Sequence, residues 1–370
     1  MRFADNAEQA ELRAVKRRFL QARSGIEEVR RVIDTPAGHD PAVWAELADL
    51  GLLGLAAPEE YGGSGATLVE VAVVLREAGR ALLPAPLLAT SIASGALLVA
   101  EDDEPARRWL PGIAAGAIIA TFASNEGLDG PAGDTAPTAV RSAASEWLLT
   151  GDMPFVLAGA VADLLIVTAS IGSDRGLFVV PADAPGLVRT ALPTLDPTRR
   201  LASLTLADTP ATPVALGGDS VQHALDLAAV LLAAEQVGGA EHCLDSATDY
   251  ARIRVQFGSP IGSFQAIKHL LADLLLEVES ARAAADYAAW AAACAPAELS
   301  RVAPLAKAVC SDTYVQGAKV NFQVHGGIAF TWEHDAHLHL KRAMAGKQLF
   351  GSPEAHRERV AGLVLAARQA

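Results

Sequence analysis

The sequence is poor in cysteine and in positive charge, and each shortage excludes a class of protein. Its three cysteines (Cys243, Cys294 and Cys310) are odd in number and form no CxxC pair, so neither a disulfide framework nor a zinc ribbon is expected. Lysine and arginine number 30 against 43 acidic residues, which gives a net charge of −13. A chain of this charge lacks the cationic surface that non-specific nucleic-acid binding or docking to an anionic membrane requires.

Several motifs of common enzyme classes are missing as well. There is no P-loop and no GxGxxG that follows a strand. The run from Gly62 to Ala66 lacks the last glycine of a GxSxG nucleophile elbow. The histidine-rich run from Glu333 to His339 is not HExxH, and His337 and His339 fall on different faces of a helix. We therefore interpret that run as solvated or helix-capping rather than as a metal site.

The sequence shows no apolar targeting or membrane-spanning segment. Its first twenty residues are highly charged and carry no apolar stretch, which favours a cytoplasmic protein over a secreted one. An uncharged stretch from Ala81 to Ala100 is long enough to span a bilayer, but it contains Pro84, Pro86 and several polar residues. We interpret it as a buried helix.

The chain is rich in apolar residues, and the spacing of those residues changes twice along the sequence. Hydrophobic residues make up 51% of the 370 positions and charged residues 20%, so a large hydrophobic core is possible without disulfide or metal cross-links. Apolar residues recur at helical spacing over 1–115, short β-prone runs punctuated by Gly, Pro and Asp fill 116–217, and long helical patterns return over 218–370. The predicted fold class is α+β, with an N-terminal all-helical domain, a middle antiparallel β domain and a C-terminal helical bundle.

The most informative segment runs from Tyr250 to Lys268. A helix with a basic end stops at a Gly-Ser-Pro turn, and a new helix is predicted to start after Ser263 as its N-cap. Arg254 could hold a diphosphate through two parallel hydrogen bonds, and Phe257 could pack on a planar ring system. The alternative interpretation is a plain helix–helix turn with a surface arginine, and spacing alone favours that alternative.

This segment resembles the flavin-binding signature of the acyl-CoA dehydrogenase family, and two further stretches agree with it. The LGLLGL and PEEYGGSG runs between Trp44 and Gly65 resemble the N-terminal signature of the family. Gln323, Gly326 and Gly327 resemble its QxxGG element. The order of helices, sheet and helices is similar to the family fold over nearly the whole chain. The overall sequence pattern is most similar to that of actinobacterial members, some of which act on bulky ring-bearing CoA thioesters.

The resemblance implies an FAD-dependent oligomer that oxidises an acyl-CoA substrate and passes its electrons to an acceptor protein. By position, Arg254 and Phe257 would reach the FAD of a neighbouring subunit. Residues Gln265, Gln323, Gly326 and Gly327 would line the adenosine-diphosphate portion, where glycines let the backbone approach phosphates. Ser352 is implied as a further cofactor contact. The usual assembly of the family is a dimer of dimers.

The resemblance also implies a carboxylate base, and both of its usual positions are vacant. The family removes the α-proton of the thioester with this base while the flavin accepts the β-hydrogen as hydride. One position falls on Phe350 and the other on Ala228, and neither side chain can accept a proton. The nearest acids on the same predicted helix are Asp226 and Glu235. Glu235 is our only named base candidate, and a paired structural acid in the bundle is its more favoured interpretation.

The flavin loops of the predicted β domain also depart from the family pattern. The segment that usually reads TEP is present only as Ser124-Asn125-Glu126-Gly127. The segment that usually reads WxT is Phe155-Val156-Leu157, so an aromatic flavin wall is kept in Phe155 while a hydroxyl is lost at Leu157. Either a backbone group replaces that hydroxyl, or the β domain of this chain binds flavin weakly.

Three hypotheses follow from these observations. The first is an active homo-oligomeric acyl-CoA dehydrogenase with a displaced base. The second is a non-catalytic subunit that contributes Arg254 and Phe257 to the flavin sites of a catalytic paralogue in an α2β2 heterotetramer. The third, least favoured, is a flavoprotein of the same fold with another chemistry. The two vacant base positions favour the second hypothesis.

Overall fold

The computed structural model describes residues 7–100, 103–125 and 136–367 of the chain. Its first part is helical, with α1 (Ala7–Arg23), α2 (Ile26–Ile33), α3 (Pro41–Asp49), α4 (Leu68–Arg80), α5 (Leu87–Leu97) and α6 (Glu104–Ala114). α4 starts at a capping box in which Thr67 and Glu70 each bond the other's backbone N–H. α5 lies within the uncharged stretch and is buried along most of its eleven residues. Within the described ranges, no helix is long and apolar enough to cross a membrane.

The middle of the chain forms a sheet that closes on itself. Its strands are β1 (Ala120–Ala123), β2 (Thr138–Arg141), β3 (Trp147–Leu157), β4 (Leu164–Ile171), β5 (Asp174–Pro181), β6 (Leu187–Leu192) and β7 (Leu201–Leu216). β4, β2, β3, β7 and β5 pair in a ring, with β1 added beside β4 and β6 beside β7. Most pairs are antiparallel, as expected, but β1–β4 and the short β2–β4 contact are parallel. β2 and β3 lie between β1 and β4 in sequence and return the chain to the end of the sheet where β4 starts. These parallel pairs therefore need no crossover helix.

β4 is buried on both of its faces. Leu164 and Ile166 pack into the core of the N-terminal helices, whereas Leu165 and Val167 pack inside the closed sheet. This division follows from the period of two along a strand, which points successive side chains to opposite faces. The strand therefore joins the helical layer to the sheet, and its near-continuous apolar sequence serves two cores at once.

The last part of the chain is a bundle of long helices. These are α7 (Gly218–Ile253), α8 (Gln265–Cys294), α9 (Pro296–His325), α10 (Ala336–Gln348) and α11 (Pro353–Ala367), with a hairpin of β8 (Val255–Gln256) and β9 (Ser259–Pro260) between α7 and α8. α4 and α7 cross closely because glycines lie at the contact. A Cβ atom on Gly238 would stand 1.8 Å from the carbonyl oxygen of Arg76, and one on Gly79 would stand 2.0 Å from that of Glu235. Only glycine fits at these two positions.

α7, α8 and α9 are antiparallel neighbours, so the end of α7, the start of α8 and the end of α9 lie at one end of the bundle. The rings of Tyr250 and His325 stack there with centroids 4.2 Å apart. We call this end, formed by 254–265 and 323–327, the signature end. The prediction of Ser263 as an N-cap is wrong: its hydroxyl bonds the Pro260 carbonyl, and α8 begins after Phe264 with no side-chain cap.

Candidate functional site

At the signature end, a tight hairpin presents Arg254 and Phe257 to solvent. Arg254 leaves the helical conformation and ends α7. Phe257 and Gly258 form the turn between β8 and β9 with φ of +53° and +78°, the pattern of a type I′ turn. A phenylalanine in the left-handed region costs about 1–2 kcal/mol, and its side chain here is 94% exposed. A strained and exposed aromatic residue marks a position that is kept for contact with something else.

The remaining residues of the signature lie on the neighbouring helix ends. Gln265 is the first residue of α8 and Gln323 lies in the last turn of α9, and both are exposed. Gly326 has φ +67° and ψ −140°, a conformation that only glycine adopts readily. A Cβ atom on Gly326 or Gly327 would meet no atom within 4 Å, so the backbone is open to close approach from outside. Open glycine backbone and an exposed guanidinium at the same end of the bundle fit the diphosphate of a dinucleotide such as FAD.

The same end of the molecule exposes an unusual amount of apolar surface. Ile253, Val255 and Phe257 near the end of α7 are exposed by 76%, 53% and 94%, and Phe330 and Trp332, which follow α9, are exposed by 77% and 66%. Apolar surface gathered in this way marks an interaction site rather than ordinary solvent-facing surface. The signature end and the segment after α9 therefore carry much of the exposed apolar surface of the C-terminal bundle.

On the β domain, Phe155 at the position of the aromatic flavin wall is exposed, whereas Leu157 at the position of the hydroxyl is buried. The ladder between β3 and β7 shifts register between Met153 and Val156, and this bulge turns Phe155 outward with half of its surface exposed. Leu157 is buried in the N-terminal core. Asn125 is also buried and donates a hydrogen bond to the carbonyl of Asp152 at 2.8 Å. Glu126 and Gly127 lie outside the described residues.

The two positions that the resemblance assigns to the base, Ala228 and Phe350, belong to the same apolar cluster. Ala228 is fully buried in the N-terminal core, and Phe350 packs against the same core from the loop between α10 and α11. The ring of Phe350 lies 6.2 Å from that of Phe122, centroid to centroid, and its backbone has φ +57°. Its carbonyl bonds His356 Nε2 at 2.8 Å. At Phe350 the chain therefore carries an aromatic ring, packed on Phe122, in a loop that hydrogen bonds hold in place.

A buried lysine fixes that loop, and the sequence did not single it out. Lys307 Nζ donates to the carbonyls of Lys347 and Gly351 at 3.1 Å each and to the hydroxyl of Ser311 at 2.9 Å. Burial lowers the pKa of Lys307 to about 7. Ser352 is buried, and its hydroxyl accepts from the backbone N–H of Ala355, so it caps the start of α11.

Glu235 is buried between two arginines. Its carboxylate accepts from Arg199 at 2.5 Å and also from Arg342. Burial acts to raise the pKa of Glu235, but the two guanidinium groups outweigh it and hold the pKa below its ordinary value. A carboxylate in this state is a weak proton acceptor, and these contacts favour the structural interpretation of Glu235. Asp226, the acid on α7 that lies two residues before Ala228, is held by Arg359 through bonds of 2.5 and 3.0 Å.

The space beside Glu235 is small. A cavity of about 30 Å³ is bounded there by Leu157, Arg199, Glu235 and Arg342, together with residues of α4 and α5. This is room for one or two water molecules, and an acyl thioester does not fit in it. Arg199 and Arg342 come from a loop and from α10, far from Glu235 in sequence, so no local pattern could have paired them.

Histidines near the end of the chain have structural roles. His334 Nδ1 accepts from the backbone N–H of Ala336 at the start of α10. His339 stacks on His242 with ring centroids 4.2 Å apart and bonds the hydroxyl of Tyr314 at 2.9 Å. No group of three or more potential metal ligands occurs within the described part of the chain.

Comparison with protein-family models gives two matches. A model described as "Acyl-CoA dehydrogenase, N-terminal domain" matches residues 6–117, and one described as "Acyl-CoA dehydrogenase, C-terminal domain" matches residues 216–365. Together they cover most of the chain.

Individual relatives agree with the family models. The chain is 38% identical to "Acyl-CoA dehydrogenase IpdE2" of Mycolicibacterium smegmatis, over 92% of this chain and 94% of the relative. A solved structure of a variant of the "Tcur3481-Tcur3483 steroid ACAD" superposes with a TM-score of 0.90 at 32% identity, over 98% of this chain and 99% of the other. The ChsE4-ChsE5 complex from Mycobacterium tuberculosis contains a chain that superposes with a TM-score of 0.91 at 28% identity, covering 99% of both.

Proposed function

The chain belongs to the acyl-CoA dehydrogenase family of FAD-dependent oxidoreductases, and from this membership we propose that it is a non-catalytic subunit that completes the flavin sites of a catalytic paralogue. The observation that carries the proposal is the base position. Phe350 fills it with a ring packed on Phe122. A phenyl ring cannot accept the α-proton, so this position cannot serve the family reaction on this chain.

The surroundings of the base position support the same conclusion. Glu235, the named base candidate on α7, is held by Arg199 and Arg342 with a lowered pKa. The cavity at that place holds little more than water. A subunit with its own activity needs a free carboxylate and space for a thioester, and the described residues around Glu235 offer neither.

The signature end supports a role toward a neighbour. α7 rises about 1.5 Å per residue, so Arg254 lies roughly 40 Å along the helix from Ala228. Residues so far from the base region belong to a different flavin site from the one beside Phe350. When FAD is bound, it supplies hydride acceptance. Arg254 and Gly326 would hold its phosphates, and Phe257 would pack on a ring of the bound nucleotide.

We further propose that the substrate of the complex is a bulky, ring-bearing CoA thioester of the steroid type. The support is the 32% identity over nearly the full chain to a protein titled a steroid ACAD. With a net charge of −13, the overall field of this chain repels the anionic CoA. The paralogue would therefore supply most of the cationic contacts, and an electron-acceptor protein would reoxidise the flavin of the complex.

The second candidate is an active homo-oligomer in which Glu235 is the displaced base. One observation favours it: Glu235 lines a cavity next to Leu157, the position that carries a flavin-bonding hydroxyl in relatives. This candidate requires Arg199 and Arg342 to release the carboxylate when substrate binds.

Expression of the chain alone and together with a paralogue that carries the glutamate separates the two candidates. We expect the lone chain to be colourless and inert, and the pair to co-purify with flavin absorbance that a steroid-type CoA thioester bleaches. A yellow lone chain whose flavin is bleached by the thioester would overturn the proposal. Loss of that bleaching in a Glu235→Gln chain that remains folded and keeps its flavin would identify the base.

A substitution in the hairpin tests the contribution of this chain to the flavin site. Asparagine tolerates the left-handed conformation, so Phe257→Asn should keep the turn while removing the ring. We expect an unchanged melting temperature of the complex and a lower flavin content per complex. Val140→Asn, at an exposed apolar position of β2, is the control and should leave flavin content unchanged.

A further inference from the structure

A second, larger cavity lies on another side of α5 and α7. Its volume is about 280 Å³, and its walls come from the loop before α4, from α5, from the start of α7 and from the end of α8. α7 turns His223 and Leu227 toward it, whereas Ala224 and Ala228 face the core around the base positions. Among the described residues, none lines both this cavity and the small one beside Glu235. We call it the lateral cavity.

One wall of the lateral cavity carries a buried hydroxyl without a partner. Ser91, Ser94 and Leu98 follow one another at helical spacing and line it from α5. Ser94 is 93% buried, since its exposed fraction is 7%, and its Oγ makes no hydrogen bond within the described residues. A buried hydroxyl normally bonds a protein group or a bound molecule, because leaving it unpaired costs stability. Ser94 therefore points to a ligand with a polar atom.

The chemistry of the walls limits what that ligand can be. Most of the lining side chains are aliphatic, and no carboxylate, ammonium or guanidinium group is among those that the structure describes. The imidazole of His223 is the one titratable side chain in this described lining, and burial lowers its pKa, so it is neutral near pH 7. An uncharged and mainly apolar molecule suits such a site.

The volume sets the size of the ligand. An apolar protein cavity of about 150 Å³ is known to bind benzene, and the lateral cavity is roughly twice as large. We propose that the lateral cavity binds an uncharged alicyclic molecule of about two fused rings whose single carbonyl or hydroxyl group bonds Ser94. This site goes beyond the proposed assembly role, since it involves neither the signature end nor the base positions.

A ligand-observed NMR titration of the full chain with the bicyclic ketone 2-decalone tests the proposal. We expect saturable binding at one site, and Ser94→Ala should weaken it about fivefold, the effect of one net hydrogen bond. Decalin, which lacks the oxygen, should bind more weakly than the ketone to the wild type. To Ser94→Ala the two compounds should bind alike.

Two tryptophan substitutions locate the site. Leu98→Trp fills the lateral cavity from its rim, where partial exposure makes the change compatible with folding, and should abolish binding. Leu216→Trp, at an exposed position at the end of β7, should leave binding intact. Absence of saturable binding, binding that survives Leu98→Trp, or equal affinity of the wild type for decalin would overturn the proposal. Because binding is measured without flavin or partner, these outcomes leave the proposed subunit role untouched.

Discussion

Glu235 is the residue on which the charge balance of the interior depends. Its carboxylate pairs with two buried guanidinium groups, Arg199 and Arg342, and offsets the repulsion between them. Removing one member of a buried charge network costs far more than removing an exposed ion pair. These ion pairs give the negative charge of Glu235 a structural role in the folded chain.

We predict that Glu235→Gln lowers the free energy of unfolding by about 3 kcal/mol or more, because it removes the charged carboxylate that two buried guanidinium groups contact. Chemical denaturation near pH 7 measures the change. Glu354→Gln, which removes an exposed partner of Lys347, is the matched control and should leave stability unchanged within error. A Glu235→Gln chain as stable as the wild type would contradict the structural role.

A second prediction at the residue scale concerns pH. Burial lowers the pKa of His356 to about 4, against about 6.5 in the unfolded chain. Between these values the unfolded state binds the proton and the folded state does not, so stability falls as pH decreases from about 6.5 to about 4. His356→Gln can keep a donor to the Phe350 carbonyl and should flatten the dependence by up to about 1.4 kcal/mol per pH unit. Denaturation series at pH 7 and pH 5 measure the slope, and an equal slope in both proteins would refute the assignment.

Among the elements, the crossing of α4 and α7 depends on glycine. We predict that Gly238→Ala destabilises the chain by about 3 kcal/mol or more, because the added methyl group meets the carbonyl of Arg76 at 1.8 Å. Gly317→Ala is the control on α9: its Cβ would have neighbours only at 3.6 Å or beyond, and helix propensity favours alanine by about 1 kcal/mol. Thermal melts compare the two variants, and a tolerated Gly238→Ala would show that the helices can separate at low cost.

The elements also show how far sequence could predict this structure. Long helices and the change to strands were readable from periodicity, since apolar spacing of about 3.6 or 2 reflects burial directly. The start of α8 could not be predicted in this way. Ser263 has the chemistry of an N-cap, but its hydroxyl donates to the carbonyl of Pro260 in the β8–β9 hairpin instead. The parallel pairing of β1 with β4 depends on contacts between distant segments, which local pattern does not encode.

The candidate site divides in the same way. The signature residues are close in sequence within two short segments, so their common location could be predicted from the motif. The surroundings of the base position could not. Lys307 holds the loop of Phe350, and Arg199 and Arg342 hold Glu235. These residues come from separate elements, so their contacts depend on tertiary packing alone.

On the scale of the whole molecule, the proposed assembly would use the exposed apolar surface of the signature end and of the segment that follows it, which includes Phe330. We predict that Phe330→Asp weakens the association of the chain with its partner by at least tenfold, because it places a charge in the interface core. Sedimentation velocity measures the loss of complex. Leu195→Asp, at a similarly exposed leucine of the β domain, should assemble normally. Equal loss of assembly in both variants would mean that the signature end is not the interface.

The two-sided burial of β4 has a consequence for how the molecule comes apart. Alternate side chains of this strand pack in the core of the N-terminal helices and in the core of the closed sheet. If the strand leaves one core, it also withdraws its side chains from the other. Heat or denaturant that loosens the closed sheet must therefore also open the helical layer beside it. The two layers form a single cooperative block, although the sequence changes character sharply between them.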